Sequence, residues 1–206
     1  MLQILLCLLC VPFLIDAFRR SDIARCDSTD LAIWFALTIL IFGALALTKN
    51  LPEGISLHYS GAAFLALTLG YSRALLSMSL LLLITQPLAT IGQSILLDAL
   101  LPIWLMVILA RLSRRYLPAN PFVFLLGCGF FGLFFVYAIQ EVVGATAQGL
   151  VEGTGVLSVV LSDHTAWGLL LASGEATLEG MILSTLVAFY PKAVVLFDDA
   201  FYLADS

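Results

Sequence analysis

Residues 56–84 read "SLHYSGAAFLALTLGYSRALLSMSLLLLI", two apolar runs joined by the short polar turn "GYSR". Neither run alternates polar with apolar residues, as a strand with one wet face would. Long, continuous, Leu-rich runs favour helices that cross a lipid bilayer. The first run opens with His58, one of only two histidines in the chain.

The composition supports the same interpretation. Apolar residues make up 62% of the 206 residues and charged residues only 11%, with a mean hydropathy of +1.08. Soluble domains are about half apolar and about a quarter charged, so the sequence predicts an integral membrane protein that forms a single domain over residues 1–206. A transmembrane barrel would show alternating segments of about 10 residues. We therefore predict an all-α fold, a bundle of transmembrane helices.

Six to seven spans of about 20 residues fit in this length. We predict them near residues 1–17, 31–48, 55–70, 72–88, 92–111, 121–143 and 165–190. The first segment lacks a basic leader and a small-residue cleavage site, so we interpret it as a span rather than a signal peptide. Residues 144–164 are Gly-rich, and their sequence leaves open a re-entrant segment, a further span or a loop.

The basic residues predict the orientation, because Lys and Arg are retained in cytoplasmic loops. With the N-terminus outside and the C-terminus inside, only Lys49 of the nine basic residues faces outward. The sequence has no basic patch of the kind that would suggest binding to nucleic acid.

The cysteines indicate packing rather than chemistry. Cys7 and Cys10 have the spacing of a metal or redox pair, but a pair in a Leu-rich helix is more often apolar filling. Cys26 would face the cytoplasm, so we expect no disulfide framework. The Gly-rich "LLGCGFFGLFF" at residues 125–135 has no following Lys and is interpreted as a helix contact surface rather than a phosphate loop.

Polar residues near the outer ends of the spans are candidates for a binding site. We predict His58, His164, Asp163 and Glu141 as metal ligands, and Gln86 and Gln93 as residues of a substrate path or of helix contacts. Imidazole suits Ni, Co, Zn and Cu. Two plainer alternatives stay open: an interfacial histidine at position 58, and a helix N-cap at Asp163.

Three carboxylates fall at membrane depth. Glu175 and Glu179, in "SGEATLEG", lie four residues apart and so share a helix face, and Asp98 lies within another span. Ionisable residues at this depth are costly and usually functional, whereas the small residues beside them favour tight helix contacts. We assign all three to a substrate path or to helix contacts.

Two stretches resemble a known family. "LHYSGAAFLALTLGYSRALLSMSLLLLITQP", residues 57–87, resembles the substrate-capture permeases of cobalt/nickel energy-coupling factor (ECF) transporters, the CbiM/NikM-like family. "SGEATLEGMILSTLVAFYPKAVVLFDDAFYL", residues 173–203, resembles the closing span and tail of an uncharacterised bacterial branch related to them.

The resemblance implies a metal held by the extracellular N-terminus, a histidine at position two and a histidine corresponding to His58. This sequence has Leu2 at position two and lacks that N-terminal motif, so other outer-face ligands replace it or the cargo differs. The resemblance also implies a bacterial inner-membrane location, a second membrane subunit and paired ATPase subunits.

We therefore predict the substrate-capture membrane component of an ECF importer, with a transition-metal ion (Ni, Co, Zn or Cu) as cargo bound at the outer face. The alternative is a non-transporting assembly or accessory protein that uses Glu175 and Glu179 for helix or partner contacts. We do not expect this protein to be an enzyme or to have catalytic residues, because the sequence contains neither of the catalytic motifs HExxH and GxSxG.

Overall fold

The computed structural model describes residues 2–22, 26–46, 49–50, 56–57, 59–153 and 156–202. The first helices are α1 (Leu2–Arg20), α2 (Ser28–Ala46) and α3 (Ala62–Thr85). Two short strands, β1 (Lys49–Asn50) and β2 (Ser56–Leu57), pair antiparallel between α2 and α3. His58 falls outside the described residues.

The next two helices each contain a π-helical segment. Helix α4 runs through Ile91–Ser94, the π-helical Ile95–Leu100 and Leu101–Tyr116. Helix α5 runs through Pro121–Phe124, the π-helical Leu125–Gly132 and Leu133–Glu152. Asn120 begins α5 by accepting the Phe122 backbone N–H on its side chain, at 2.8 Å.

The remaining elements are α6 (Val156–Val160), α7 (Asp163–Phe189), a 3₁₀ turn (Pro191–Ala193) and α8 (Asp199–Tyr202). Helix α5 therefore continues beyond the predicted end of its span, and much of the segment 144–164 is helical. Gly153, with φ of 68°, ends α5 in the left-handed region that favours glycine.

By length and composition, five helical stretches of the described chain could cross a membrane, and one of them, α3, is divided at Gly70 as described below. They are Ser28–Ala46, Ala62–Thr85, Ile91–Tyr116, Pro121–Val151 and Asp163–Phe189. Helix α1, with 19 residues, is as long as the first of these. The predicted all-α, multi-pass membrane fold is confirmed.

Helix α3 is divided at Gly70, where the backbone has φ of 75° and ψ of 174°. The chain reverses direction there. This follows from the lining of one cavity, in which Tyr59, before the break, lies with Met78 and Leu82, after it. A continuous helix would carry these residues some 30 Å apart at about 1.5 Å per residue. The break falls in the "GYSR" turn between the two spans predicted there.

The segment before this turn, residues 62–69, is called here the half-helix. The prediction of a full span at residues 55–70 is wrong in length, because the helix begins only at Ala62. Gly61, with φ of 67°, precedes it in a left-handed conformation that suits glycine. Eight helical residues extend only about 12 Å, which is too short to cross the bilayer core.

The half-helix lies at the centre of the bundle. Every residue from 62 to 69 is buried, and Phe64, Leu65 and Leu67 are completely so. Its last turn is closed by the tail, where the backbone N–H groups of Val195 and Leu196 donate to the carbonyls of Thr68 and Leu67 at 3.0 and 3.1 Å.

Basic residues gather at one end of the bundle, called here the basic end. A cavity of about 440 Å³ is lined by Arg20, Arg73 and Lys192, and Lys192 also lines a neighbouring cavity with Arg111 and Arg114. These residues lie at one end, as the predicted orientation requires. The side of the membrane that this end faces stays a prediction.

Glycines bring α5 and α7 into close contact. A Cβ at Gly180 would lie 2.7 Å from the Gly129 carbonyl oxygen, and a Cβ at Gly129 would lie 2.8 Å from Leu183 Cδ2. The Gly-rich part of α5 is thus a helix contact surface. All four cysteines are free, and Cys10 is buried in the core of the bundle, as expected of an apolar filler.

Candidate functional site

Glu179 lies at the centre of a buried polar network. Its side chain is fully buried, with 0% of its surface exposed. The Tyr59 hydroxyl donates to Oε1 at 2.6 Å, and the Tyr137 hydroxyl donates to Oε2 at 2.7 Å. A buried carboxyl group is tolerated only when such partners replace water. Each carboxyl oxygen of Glu179 has one such hydroxyl donor.

Glu175, one turn earlier in α7, extends the network toward α4 and α5. Its Oε2 accepts the backbone N–H of Ser60 at 3.2 Å. The Ser60 hydroxyl donates to the Gln140 amide oxygen at 3.1 Å, and the Gln140 amide nitrogen donates to Asp98 Oδ1 at 3.2 Å. A continuous chain of hydrogen bonds therefore joins Glu175 to Asp98.

Local backbone features place these groups. The non-helical backbone before the half-helix lets Tyr59 and Ser60 enter the bundle, and the Phe64 N–H then donates to the Tyr137 hydroxyl at 3.3 Å. Asp98 lies in the π-helical part of α4, a widened turn of a kind frequently found at functional sites.

Two cavities meet at Asp98. One, of about 390 Å³, is lined by side chains including Gln93, Asp98, Gln140, Glu141 and His164. The other, of about 320 Å³, is lined by side chains including Tyr59, Ser60, Gln86 and Asp98. Gln93 lies near the first turn of α4 and Arg114 near its last, so both cavities lie toward the end of the bundle opposite the basic end. We call this the polar end.

The predicted metal ligands are only partly brought together. Glu141 and His164 line the same cavity, whereas Asp163 is not part of its lining. The hypothesis that Asp163 caps α7 is wrong by one residue, because the Ser162 hydroxyl accepts the Thr165 N–H. Within the described ranges, no three His, Cys, Asp or Glu side chains lie close enough together to hold a metal ion.

The ion pairs of the described residues lie outside the network. They join Arg20 to Asp16 and Arg114 to Asp198. Glu175 and Glu179 instead face hydroxyl and N–H donors. Buried carboxylates arranged in this way are suited to the neighbourhood of a cation.

Sequence reasoning missed four members of the network: Tyr59, Ser60, Tyr137 and Gln140. A signal was present for two of them, because Tyr137 and Gln140 are three residues apart in "VYAIQE" and so share a face of an otherwise apolar helix. Tyr59 and Ser60 carry no such signal, since they lie in irregular backbone.

Comparisons with known proteins agree with this architecture. A family model described as the cobalt uptake substrate-specific transmembrane region matches residues 2–193. A crystal structure of a truncated transition metal transporter superposes with a TM-score of 0.70 and 19% sequence identity, covering 90% of this chain and 93% of that chain. At this identity the likeness shows a shared fold. A search of curated proteins found no match.

Proposed function

This chain belongs to the cobalt uptake substrate-specific transmembrane family, and from that membership we propose that it captures a transition-metal ion for an ECF importer. The chain is a multi-pass membrane component of transition-metal transport, and its family is one of transport components rather than enzymes.

The observation that carries the proposal is the polar network inside the bundle. It combines Asp98, Glu175 and Glu179 with hydroxyl and amide groups, and it borders two cavities at the polar end. Burying several carboxyl groups is expensive. A protein that handles a cation has a use for them, because carboxyl groups inside a transmembrane bundle mark ion pathways.

We place the ion at the polar end, which the predicted orientation puts outside the cell. His58, which directly precedes Tyr59 in the sequence, is the first proposed ligand, and Glu141 and His164 are the candidates that share a cavity. An imidazole with oxygen donors suits Ni, Co, Zn or Cu. Asp163, the fourth proposed ligand, directly precedes His164 in the sequence and is not part of that cavity lining.

The alternative of a non-transporting accessory protein receives less support. It would place Glu175 and Glu179 on a lateral surface, where a partner could reach them. Their side chains are instead buried, with 4% and 0% of their surface exposed, and they bond to groups of the same chain.

The importer would need further subunits. The sequence contains no phosphate-binding loop, so we propose that ATP is used by separate ATPase subunits that act through a second membrane subunit. This chain would then contribute capture and specificity, while embedded in lipid.

The test is direct metal binding by the purified protein. We expect the wild type to bind at least one of Ni, Co, Zn and Cu. His58→Ala should bind it at least about tenfold more weakly, because the site loses a direct ligand and even the loss of a group that only orients a ligand costs about 10–100-fold. Asp30→Ala, beside the basic-end cavity, is the control and should bind normally. Absence of binding by the wild type, or equal binding by His58→Ala, would refute the proposal.

Orientation is tested separately. A tag attached after Ser206 should be reached only from the cytoplasm. Labelling of that tag from outside intact cells would reverse the topology and move the polar end to the cytoplasmic side.

A further inference from the structure

Two carboxyl groups of α7 hold the segment that leads into the half-helix. Glu179 accepts the Tyr59 hydroxyl at 2.6 Å, and Glu175 accepts the Ser60 backbone N–H at 3.2 Å. The bonds restrain consecutive residues, one through its side chain and the other through its backbone. A segment held at both points keeps its direction although it is not helical.

Glu179 is itself held firmly. Its second oxygen accepts the Tyr137 hydroxyl at 2.7 Å, and the oxygen of that hydroxyl accepts the Phe64 N–H at 3.3 Å. Rotating the carboxyl group would break both tyrosine bonds in a place that water does not reach, where an unpaired polar group is costly. The position of Glu179 is therefore set by α5 and the half-helix, and Glu179 in turn sets the position of Tyr59.

We propose that Glu175 and Glu179 are positioning residues for metal capture. They orient the Tyr59–Ser60 segment and, through it, the ligand that precedes this segment in the sequence. This inference rests on the proposed function, in which His58 is that ligand. The two carboxyl groups act through the segment and do not contact the ion. Groups that orient metal ligands without contacting the metal lower metal affinity about 10–100-fold when they are removed.

A merely structural role would look different. If the carboxyl groups served only to join α7 to its neighbours, their removal would lower thermal stability and leave the surroundings of the bound metal unchanged. A positioning role changes the ligand field of the metal as well. The absorption spectrum of bound Co²⁺ reports that field directly.

The experiment titrates the purified full chain with Co²⁺ and records affinity and the visible spectrum. The variants are Glu179→Gln, Tyr59→Phe and the double variant. Asp30→Asn is the control, because it makes the same change of charge beside the basic-end cavity.

We expect Glu179→Gln and Tyr59→Phe each to bind Co²⁺ about 10–100-fold more weakly and with a shifted spectrum. The double variant should be no weaker than the weaker single variant, because both changes break the same link and coupled residues are not additive. Asp30→Asn should match the wild type in affinity and spectrum.

Failure of the wild type to bind Co²⁺, Ni²⁺, Zn²⁺ or copper would overturn the proposed function. Binding by the wild type together with an unchanged spectrum and affinity in Glu179→Gln would overturn only this inference. So would fully additive losses in the double variant, because they would show that Glu179 does not act through Tyr59. If Glu179→Gln does not fold, Tyr59→Phe removes a single hydroxyl and decides the matter by the same two readouts.

Discussion

The contact between α5 and α7 leads to a sharp prediction about Gly180. In Gly180→Ala, the new Cβ would lie 2.7 Å from the Gly129 carbonyl oxygen and 2.7 Å from Phe130 Cδ1. Carbon atoms in good contact are about 3.5–4.0 Å apart, so the methyl group falls short by about 0.8 Å or more. Phe130 can turn aside, but the carbonyl belongs to the backbone, and the helices must therefore separate.

The magnitude follows from two opposing effects. Overpacking of this kind costs about 1–3 kcal/mol, while replacing Gly by Ala within a helix contributes up to about 1 kcal/mol of stability. Gly174 lies in the same helix with nothing within 4 Å of its Cβ position, so Gly174→Ala keeps the second effect without the first. Gly180→Ala should thus be less stable than Gly174→Ala by about 1–3 kcal/mol.

The cysteines of the chain supply the assay. Cys10 and Cys128 are 2% and 0% exposed, so in a background with Ser at positions 7 and 26 a thiol-reactive dye reports unfolding during heating in detergent. We expect Gly180→Ala to unfold several degrees below Gly174→Ala. An unfolding temperature for Gly180→Ala equal to or above that of Gly174→Ala would refute the close approach of α5 and α7.

Three further predictions concern the turn, a helix cap and the tail. Gly70→Ala should lose about 1–2 kcal/mol in the same thermal assay, because a Cβ at a φ of 75° is strained; an unchanged unfolding temperature would argue against the reversal. Asn120→Ala removes the cap hydrogen bond and should lose about 1 kcal/mol of stability, whereas Asn120→Asp can still accept that bond and should keep most of this stability. Equal losses in the two variants would contradict this expectation. Asp198→Asn breaks an ion pair in which the Arg114 and Asp198 side chains are 54% and 35% exposed. It should lower the free energy of unfolding by less than about 1 kcal/mol, and by less still in high salt. A larger loss that does not depend on salt would show that the pair is not screened by water.

Much of the fold could be predicted because hydropathy follows the bilayer directly. Long apolar runs between short polar turns indicated the helices, and the "GYSR" turn marked the reversal at Gly70. The sequence did not show where the helix before that turn begins. An apolar run predicts burial, and a short helix buried by protein has the same composition as one buried by lipid.

The candidate site was harder to predict than the fold. Glu175 and Glu179 could be selected because carboxylates are rare in apolar helices. Two of their partners could not, since Tyr59 and Ser60 reach them only through the irregular backbone around Gly61. No periodic pattern describes such a segment, so which side chains meet there depends on the tertiary fold.

The half-helix has a consequence for how the protein is made. Its eight residues reach about 12 Å, whereas a segment that enters the membrane on its own needs about 20 residues. We therefore expect residues 62–69 to move into place after the surrounding helices are in the lipid, when Tyr137 and the tail can bond to the two ends of the half-helix. We expect the polar network to assemble after insertion, so that variants that weaken the half-helix accumulate as inserted but immature protein.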